Sequence, residues 1–241
     1  MNPNLTAPLP ACCSPLSWDC PLPVPAGAVF VSCHFEPSRL AADDFLRAGI
    51  VRPPSIERSV AKRQAEFLAG RLCARAALGR LGLPGCDLPI GQDRAPGWPA
   101  GLCGAITHGD GWAAAIAAPT DHYRGLGLDV ESLLAPDRAL RLAGEILTAT
   151  ELERLPEDPE QAALVVTLTF SLKESLFKAL YPLIGRRFYF EAAALLGWSE
   201  DGQARLGLLT DLSEEWHQGV QLAGQFSLRD GRLLSLVCIS G

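Results

Sequence analysis

The chain has 241 residues and a net charge of −6, with 48% apolar and 20% charged side chains. That is enough apolar content for a sizeable core in one large or two small domains. The acidic balance argues against general nucleic-acid binding, which draws on many lysine and arginine contacts to phosphate. The eight cysteines form no Cys-x-x-Cys pair, so zinc-ligand spacing is absent. No basic flank followed by an apolar core marks a secretory signal, and no run approaches the roughly 18 apolar residues of a membrane span. A cytoplasmic protein with reduced thiols is expected.

Residues 1–27 read as an extended, proline-punctuated arm, the one place where disorder is expected. Residues 28–34 read as a short strand. Residues 55–82 read as one long helix, with Ser55 as N-cap and Gly82 and Pro84 ending it. Ile56, Val60, Phe67, Leu68 and Leu72 would share its apolar face. Arg58 and Lys62, four residues apart, would project together with Arg63 beside them. From Arg47 to Arg80 eight basic residues stand against only Glu57 and Glu66, a setting for a compact anion. A loop over 83–103 adds Arg94. Residues 104–118 read as strand, turn, strand, and Thr107-His108 at the turn offers a hydroxyl, an imidazole and accessible backbone N–H groups to phosphate oxygens.

Residues 119–125 read as a connector, which divides the chain into halves 1–120 and 121–241. In Gly127-Leu128-Asp129-Val130-Glu131 the apolar and polar positions alternate, so on a strand Asp129 and Glu131 face the same side. Two carboxylates that close suit a hard divalent cation such as Mg²⁺. Helices are expected over 138–147 and 160–181, the second stopped by Pro182. In the second, Thr167, Ser171, Glu174 and Lys178 form one narrow polar stripe on an otherwise apolar cylinder, flanked by Lys173. Only three of the 21 basic residues are lysines, Lys62, Lys173 and Lys178, so two of them fall here. The remainder is strand-rich and ends in a hairpin over 225–239 around Asp230-Gly231. Strands and helices intermingle without regular alternation, which points to an α+β fold.

Each signal alone also fits a blander reading: a solvated strand edge, an i,i+4 ion pair, a structural histidine, a solvated basic face. Together they supply carboxylates for Mg²⁺, lysine and histidine for a polyphosphate, and arginine for a further phosphate, with neither a Walker A sequence nor a kinase signature.

Gly127-x-Asp129-x-Glu131 followed by Phe170-Ser171-x-Lys173-Glu174-Ser175-x-x-Lys178 resembles the paired signature of the Sfp-type 4'-phosphopantetheinyl transferases. Thr107-His108 and the segment Lys62 to Arg71 also resemble that family, in particular its EntD branch and the broad-specificity carrier-protein synthases. The resemblance implies a pseudo-dimer of two similar α+β halves with the active site in the cleft between them. It implies Mg²⁺ held by Asp129, Glu131 and Glu174, and coenzyme A as the phosphopantetheine donor. Glu174 would be the base acting on the carrier serine. Lys178 and Lys173 would stabilise phosphate charge, and Asp129 would approach the same pyrophosphate through the metal. Thr107, His108, Arg58, Lys62, Arg63 and Arg94 would contact coenzyme A phosphates.

The implied partners are apo acyl carrier protein and peptidyl carrier domains of fatty-acid and siderophore or other nonribosomal assembly lines, served by a monomer. Pattern alone does not locate their docking surface; the stretch around Phe188 to Leu196 is a candidate only as an exposed apolar segment. Ala105 departs from the family, where serine is frequent. The competing readings are another Mg²⁺-dependent phosphoesterase and an inactive carrier-binding subunit.

Overall fold

The structure, a computed structural model, describes residues 9–91 and 95–241. They divide into two compact units, one ending at His122 and one running from Tyr123 to Gly241.

In the first unit, β1 (Val29–His34), β2 (Leu102–Gly109) and β3 (Trp112–Pro119) form an antiparallel sheet in the order β1-β3-β2. Asp110 and Gly111 both take positive φ, 44° and 71°, which gives the tight β2–β3 reversal expected of the sequence. Two short helices, α1 (Asp44–Ala48) and α2 (Pro54–Glu57), precede the long α3 (Ala61–Arg80). Leu68, Ala69, Cys73, Ala77 and Leu78 of α3 are fully buried against Val31 and Cys33 of β1 and Ala113, Ala115 and Ala117 of β3. Small residues on the sheet let the helix sit close, and burial of this apolar face is what stabilises the unit.

The single helix expected over 55–82 is two helices. Pro53 is the N-cap and Pro54 opens α2, Arg58 ends it, and α3 begins only at Ala61. The break is held by side chains: Ser59 Oγ donates to the Ser55 carbonyl at 2.8 Å and Gln64 Nε2 donates to the Ser59 carbonyl at 2.7 Å, replacing helical bonds. Val60, expected on the apolar face, is the 73% exposed N-cap of α3. Arg58 and Lys62 therefore do not share a helix face.

The described part of the arm is packed rather than disordered. Ser17 pairs with Ser32 through two N–H···O bonds of 2.8 Å, and Arg80 stacks on the Trp18 ring at 4.2 Å. Asp44, fully buried, accepts from the backbone N–H groups of Ala11 (2.7 Å), Cys12 (3.3 Å) and Ala41 (3.0 Å). Burial alone would raise its carboxyl pKa; the three donors outweigh it and hold the group below the usual aspartate range. A depressed folded-state pKa stabilises above the unfolded value and is lost as pH falls through the folded one. Asp44→Asn should therefore cost about 2 kcal/mol at pH 7. The gap from wild type, measured by urea unfolding, should close as pH drops below 4. A gap unchanged at low pH would show that the ionised carboxylate is not the anchor.

In the second unit, β4 (Tyr123–Ser132) is followed by α4 (Pro136–Ile146), α5 (Ala149–Leu152), α6 (Pro159–Ile184) and four strands, β5 (Ala193–Trp198), β6 (Gln203–Leu208), β7 (Gln221–Arg229) and β8 (Arg232–Ser240). All strands pair antiparallel in the order β4-β8-β7-β6-β5. The expected hairpin is β7–β8, turning at Asp230 and Gly231 with φ of 51° and 72°. α6 lies across the sheet, with Leu168, Leu172, Leu176 and Leu180 packed in one core with Leu206, Leu208, Leu233 and Val237.

Pro182, expected to stop α6, sits inside its last turn. Proline breaks a helix by removing one N–H and crowding the carbonyl four residues back. Here Leu183 and Ile184 gain burial against the core, and Gly185, at φ 71°, closes the helix by donating to the Tyr181 carbonyl at 2.9 Å. Both units combine an antiparallel sheet with a long helix, the α+β arrangement expected.

Candidate active site

The second unit brings the acidic strand and the polar helix stripe together. A side chain added at Gly127 would overlap the Ser175 carbonyl oxygen, and one at Gly125 the Ala179 carbonyl oxygen. Glycine at both positions lets the α6 backbone lie directly on β4. Asp129 and Glu131 occupy the next two positions on that same face of the strand.

Asp129 is buried and fully engaged. Its Oδ1 accepts from Lys178 Nζ at 2.7 Å and its Oδ2 from Ser171 Oγ at 2.9 Å, while Lys178 also donates to the Leu128 carbonyl at 3.0 Å. Behind Ser171, Ser235 of β8 hydrogen-bonds Ser171 and Ser175 through hydroxyl contacts of 2.8 Å. Thr167, the first residue of the stripe, accepts from the Leu134 N–H at 3.2 Å and donates to the Ala163 carbonyl.

Glu131 and Glu174 are half-buried beside this pair. Burial pushes the Glu131 carboxyl up to about 7; Asp129 and Glu174 add to the rise, and Lys178 and Arg138 oppose it. Glu174 is raised by burial, with Asp129 adding and Lys178 opposing. One lysine does not offset three neighbouring carboxylates, and the cluster favours additional positive charge. Among the described residues, no three carboxylate, imidazole or thiol groups converge closely enough to hold a metal as the side chains stand.

Lys173, expected to help with ligand phosphates, is committed elsewhere. It is 3% exposed, donates to Glu151 Oε2 at 2.7 Å and to the Ile146 carbonyl at 2.9 Å. Burial draws its ammonium below the usual lysine range against the pull of Glu151. Glu151 also accepts from the N–H groups of Thr148 at 2.8 Å and Leu195 at 2.6 Å, so it ties α5, α6 and β5 together. The sequence reading missed Glu151, although Thr148-x-x-Glu151 is a legible capping box, and the structure forms it. Removing one member of such a pair leaves the other buried without compensation. Lys173→Met should destabilise by about 3–5 kcal/mol, read as a lowered urea midpoint, and a loss below about 1 kcal/mol would contradict the pairing.

Beside Glu174 a cavity of about 250 Å³ is walled by the rings of Phe177, Phe188, Tyr189 and Phe190, with Lys173 and Arg187 also on its lining. The apolar stretch expected on the surface from Phe188 to Leu196 is largely folded inward: Ala192 to Leu195 are buried, because β5 pairs with β6 over the α6 face, and of its apolar side chains only Tyr189 is widely exposed.

The first unit holds a separate basic cluster. A cavity of about 310 Å³ is lined by Ser55, Ser59, Arg63, Arg71, Ile106 and His108 among others. Arg63 Nη1 is 2.8 Å from His108 Nε2, and Glu66 stands 3.5 Å from Arg63 and 3.8 Å from His108. Arg58 and Lys62 are exposed and do not line it. Thr107 alternates to the opposite face of β2 from His108 and is buried. Arg94 lies outside the described residues. Arg71 was not anticipated, although Arg63, Phe67 and Arg71 repeat every four residues on one helix face. It is 9% exposed, donates one hydrogen bond to the Leu88 carbonyl at 2.8 Å and lies over the Phe67 ring at 5.0 Å. Burial lowers its guanidinium to about 10, only weakly opposed by Asp87.

The chain belongs to the 4'-phosphopantetheinyl transferases. Residues 52–118 match the N-terminal domain of these transferases and residues 125–235 match their superfamily. The transferase Npt of Nocardia iowensis is 33% identical over 76% of this chain and 85% of its own length. Enterobactin synthase component D of Escherichia coli K12 is 34% identical over 64% of this chain and 71% of its own. The transferase Svp of Streptomyces mobaraensis is 39% identical over 58% and 57%, respectively.

Proposed function

We propose that the chain transfers 4'-phosphopantetheine from coenzyme A to a serine of apo acyl and peptidyl carrier proteins, releasing 3',5'-ADP, in a Mg²⁺-dependent reaction. The observation that carries this reading is the carboxylate cluster: Asp129 fixed by Lys178 and Ser171, with Glu131 and Glu174 beside it, both raised by burial. Its donor chemistry, three carboxylates sharing one lysine, suits a hard divalent cation held by Asp129, Glu131 and Glu174. When bound, Mg²⁺ would supply charge neutralisation for the donor's pyrophosphate.

Glu174 is the group positioned to take the serine proton. Its carboxylate would accept that proton while the hydroxyl attacks the β-phosphorus. Lys178 keeps Asp129 oriented and offers positive charge to the departing ADP. The aromatic cavity beside Glu174 suits the uncharged pantetheine arm, whose gem-dimethyl and methylene groups gain from an apolar wall. Taken by itself, the first unit offers Arg63, Arg71 and His108 as donors suited to a phosphate group. Arg58 and Lys62, exposed, would act at longer range. Lys173 fixes α6 through Glu151, and it also lines the cavity beside Glu174.

The test is intact mass spectrometry of an apo acyl carrier protein, and separately an apo peptidyl carrier domain, incubated with the protein, coenzyme A and Mg²⁺, with an EDTA control. One added phosphopantetheine unit, dependent on metal, is expected on both carriers. No mass gain on either carrier would overturn the reading; gain in EDTA would overturn its metal dependence alone.

A further inference from the structure

The first unit contains a second cavity that the transfer reaction leaves without a role. It measures about 540 Å³ and lies where the arm crosses α1 and α3. Its walls are apolar, with Leu9, Leu16 and Trp18 from the arm, Leu46 from α1, and Leu72 and Ala76 from α3. Leu46 is 83% exposed at its edge, an unusual position for a leucine on a five-residue helix.

The charged residues lining it are Arg47, Arg75 and Arg80, with no aspartate or glutamate among them. Their states differ. Arg75 is neutralised by Asp87 and bound to the Ala48 and Gly49 carbonyls. Arg80 lies over the Trp18 ring at 4.2 Å and is exposed at the rim. Neither Arg80 nor Arg47 forms an ion pair among the described residues. Two guanidinium groups without a carboxylate partner among the described residues therefore border an apolar chamber in a protein whose net charge is −6.

We propose that this cavity binds an anionic amphiphile, a fatty carboxylate of medium chain length, with the chain in the apolar chamber and the carboxylate at Arg47 and Arg80. The volume lies within the ordinary range for small-molecule sites, about 300–1,000 Å³. A polyphosphate would find only two free cations and few polar wall groups. A neutral hydrocarbon would gain the walls but not the rim. A single carboxylate on a chain matches both, and a guanidinium is the side chain suited to a planar carboxylate. The site rests on the first unit alone and stands apart from the transferase reading.

Calorimetric titration of the full chain with decanoate below its micelle concentration tests this. One saturable site per chain is expected, with Kd on the order of 10 µM, and decanol should bind at least about tenfold more weakly. Arg47→Gln should weaken decanoate several-fold while leaving decanol unchanged. Ala76→Phe, one turn before Arg80 and facing the chamber, should abolish both. Thermal melts of each variant confirm that it is folded. Because Arg80→Gln would also remove the stacking on Trp18, it is not used as the deciding variant. Equal affinity for decanol and decanoate would overturn the assignment of the rim, retention of binding by Ala76→Phe would overturn the assignment of the chamber, and absence of saturable binding would overturn both.

Discussion

Glu174→Gln should lower kcat for phosphopantetheine transfer by about a thousandfold, within the range attributed to a positioned general base. The substitution keeps shape and one acceptor oxygen but removes the basic lone pair. Glu174 is half-buried, and burial and Asp129 raise its carboxyl against the opposing pull of Lys178. Removing its charge relieves repulsion within the cluster, so the melting temperature should stay the same or rise slightly. This separates loss of chemistry from loss of fold. Rates followed by carrier mass shift, with circular dichroism melts in parallel, decide the matter. A variant with kcat within tenfold of wild type would remove Glu174 from the role of base. Asp129→Asn should behave differently: it leaves Lys178 without its carboxylate partner, so stability and rate should fall together.

Gly127→Ala should prevent the second unit from folding, or destabilise it by about 3 kcal/mol or more. The added methyl group would meet the Ser175 carbonyl, and its other close neighbours, the Ser175 carbonyl carbon and the Ala179 nitrogen, are also main chain of α6. A side chain can rotate away from an intruding methyl; a helix backbone cannot. Gly144→Ala is the matched control. Its added methyl has no neighbour within 4 Å and it lies inside α4, so it should stabilise by roughly 0.5–1 kcal/mol. Urea unfolding of both variants gives the comparison. Near-native stability for Gly127→Ala would mean that α6 does not rest on β4 as described.

The polar side-chain placement in the second unit was legible because it follows short-range periodicity. Alternation put Asp129 and Glu131 on one face, and helical spacing put Ser171, Glu174 and Lys178 on one stripe. What that reading lacked was the reason for Gly127, which concerns a helix 48 residues further along the chain. Ser235, which joins Ser171 and Ser175 across 60 or more residues, gives no local signal. The basic segment was read less well. The break at Arg58 to Val60, held by the Ser59 turn, divides the expected helix, so i,i+4 arithmetic across it grouped Arg58 with Lys62 wrongly. The pairing of Lys173 with Glu151 was not legible, because its sequence neighbours, Leu172 and Glu174, say nothing about that residue. Pro182 was read by its local rule, and burial of Leu183 and Ile184 overrode that rule.

The contact of α6 with β4 has a mechanical consequence. At Gly125 and Gly127 the two elements meet main chain to main chain, so the joint has no rotamers that could relax. The direction in which Ser171, Glu174 and Lys178 point is set by a rigid seat rather than by the oil around it. Robustness and precision should therefore be separable in this unit. Thinning the leucine layer, for example with Leu172→Ala, should cost about 2–5 kcal/mol. Each molecule that still folds should nonetheless turn over at the wild-type rate, because the seat that aims the polar stripe proposed to act in transfer is made of backbone alone.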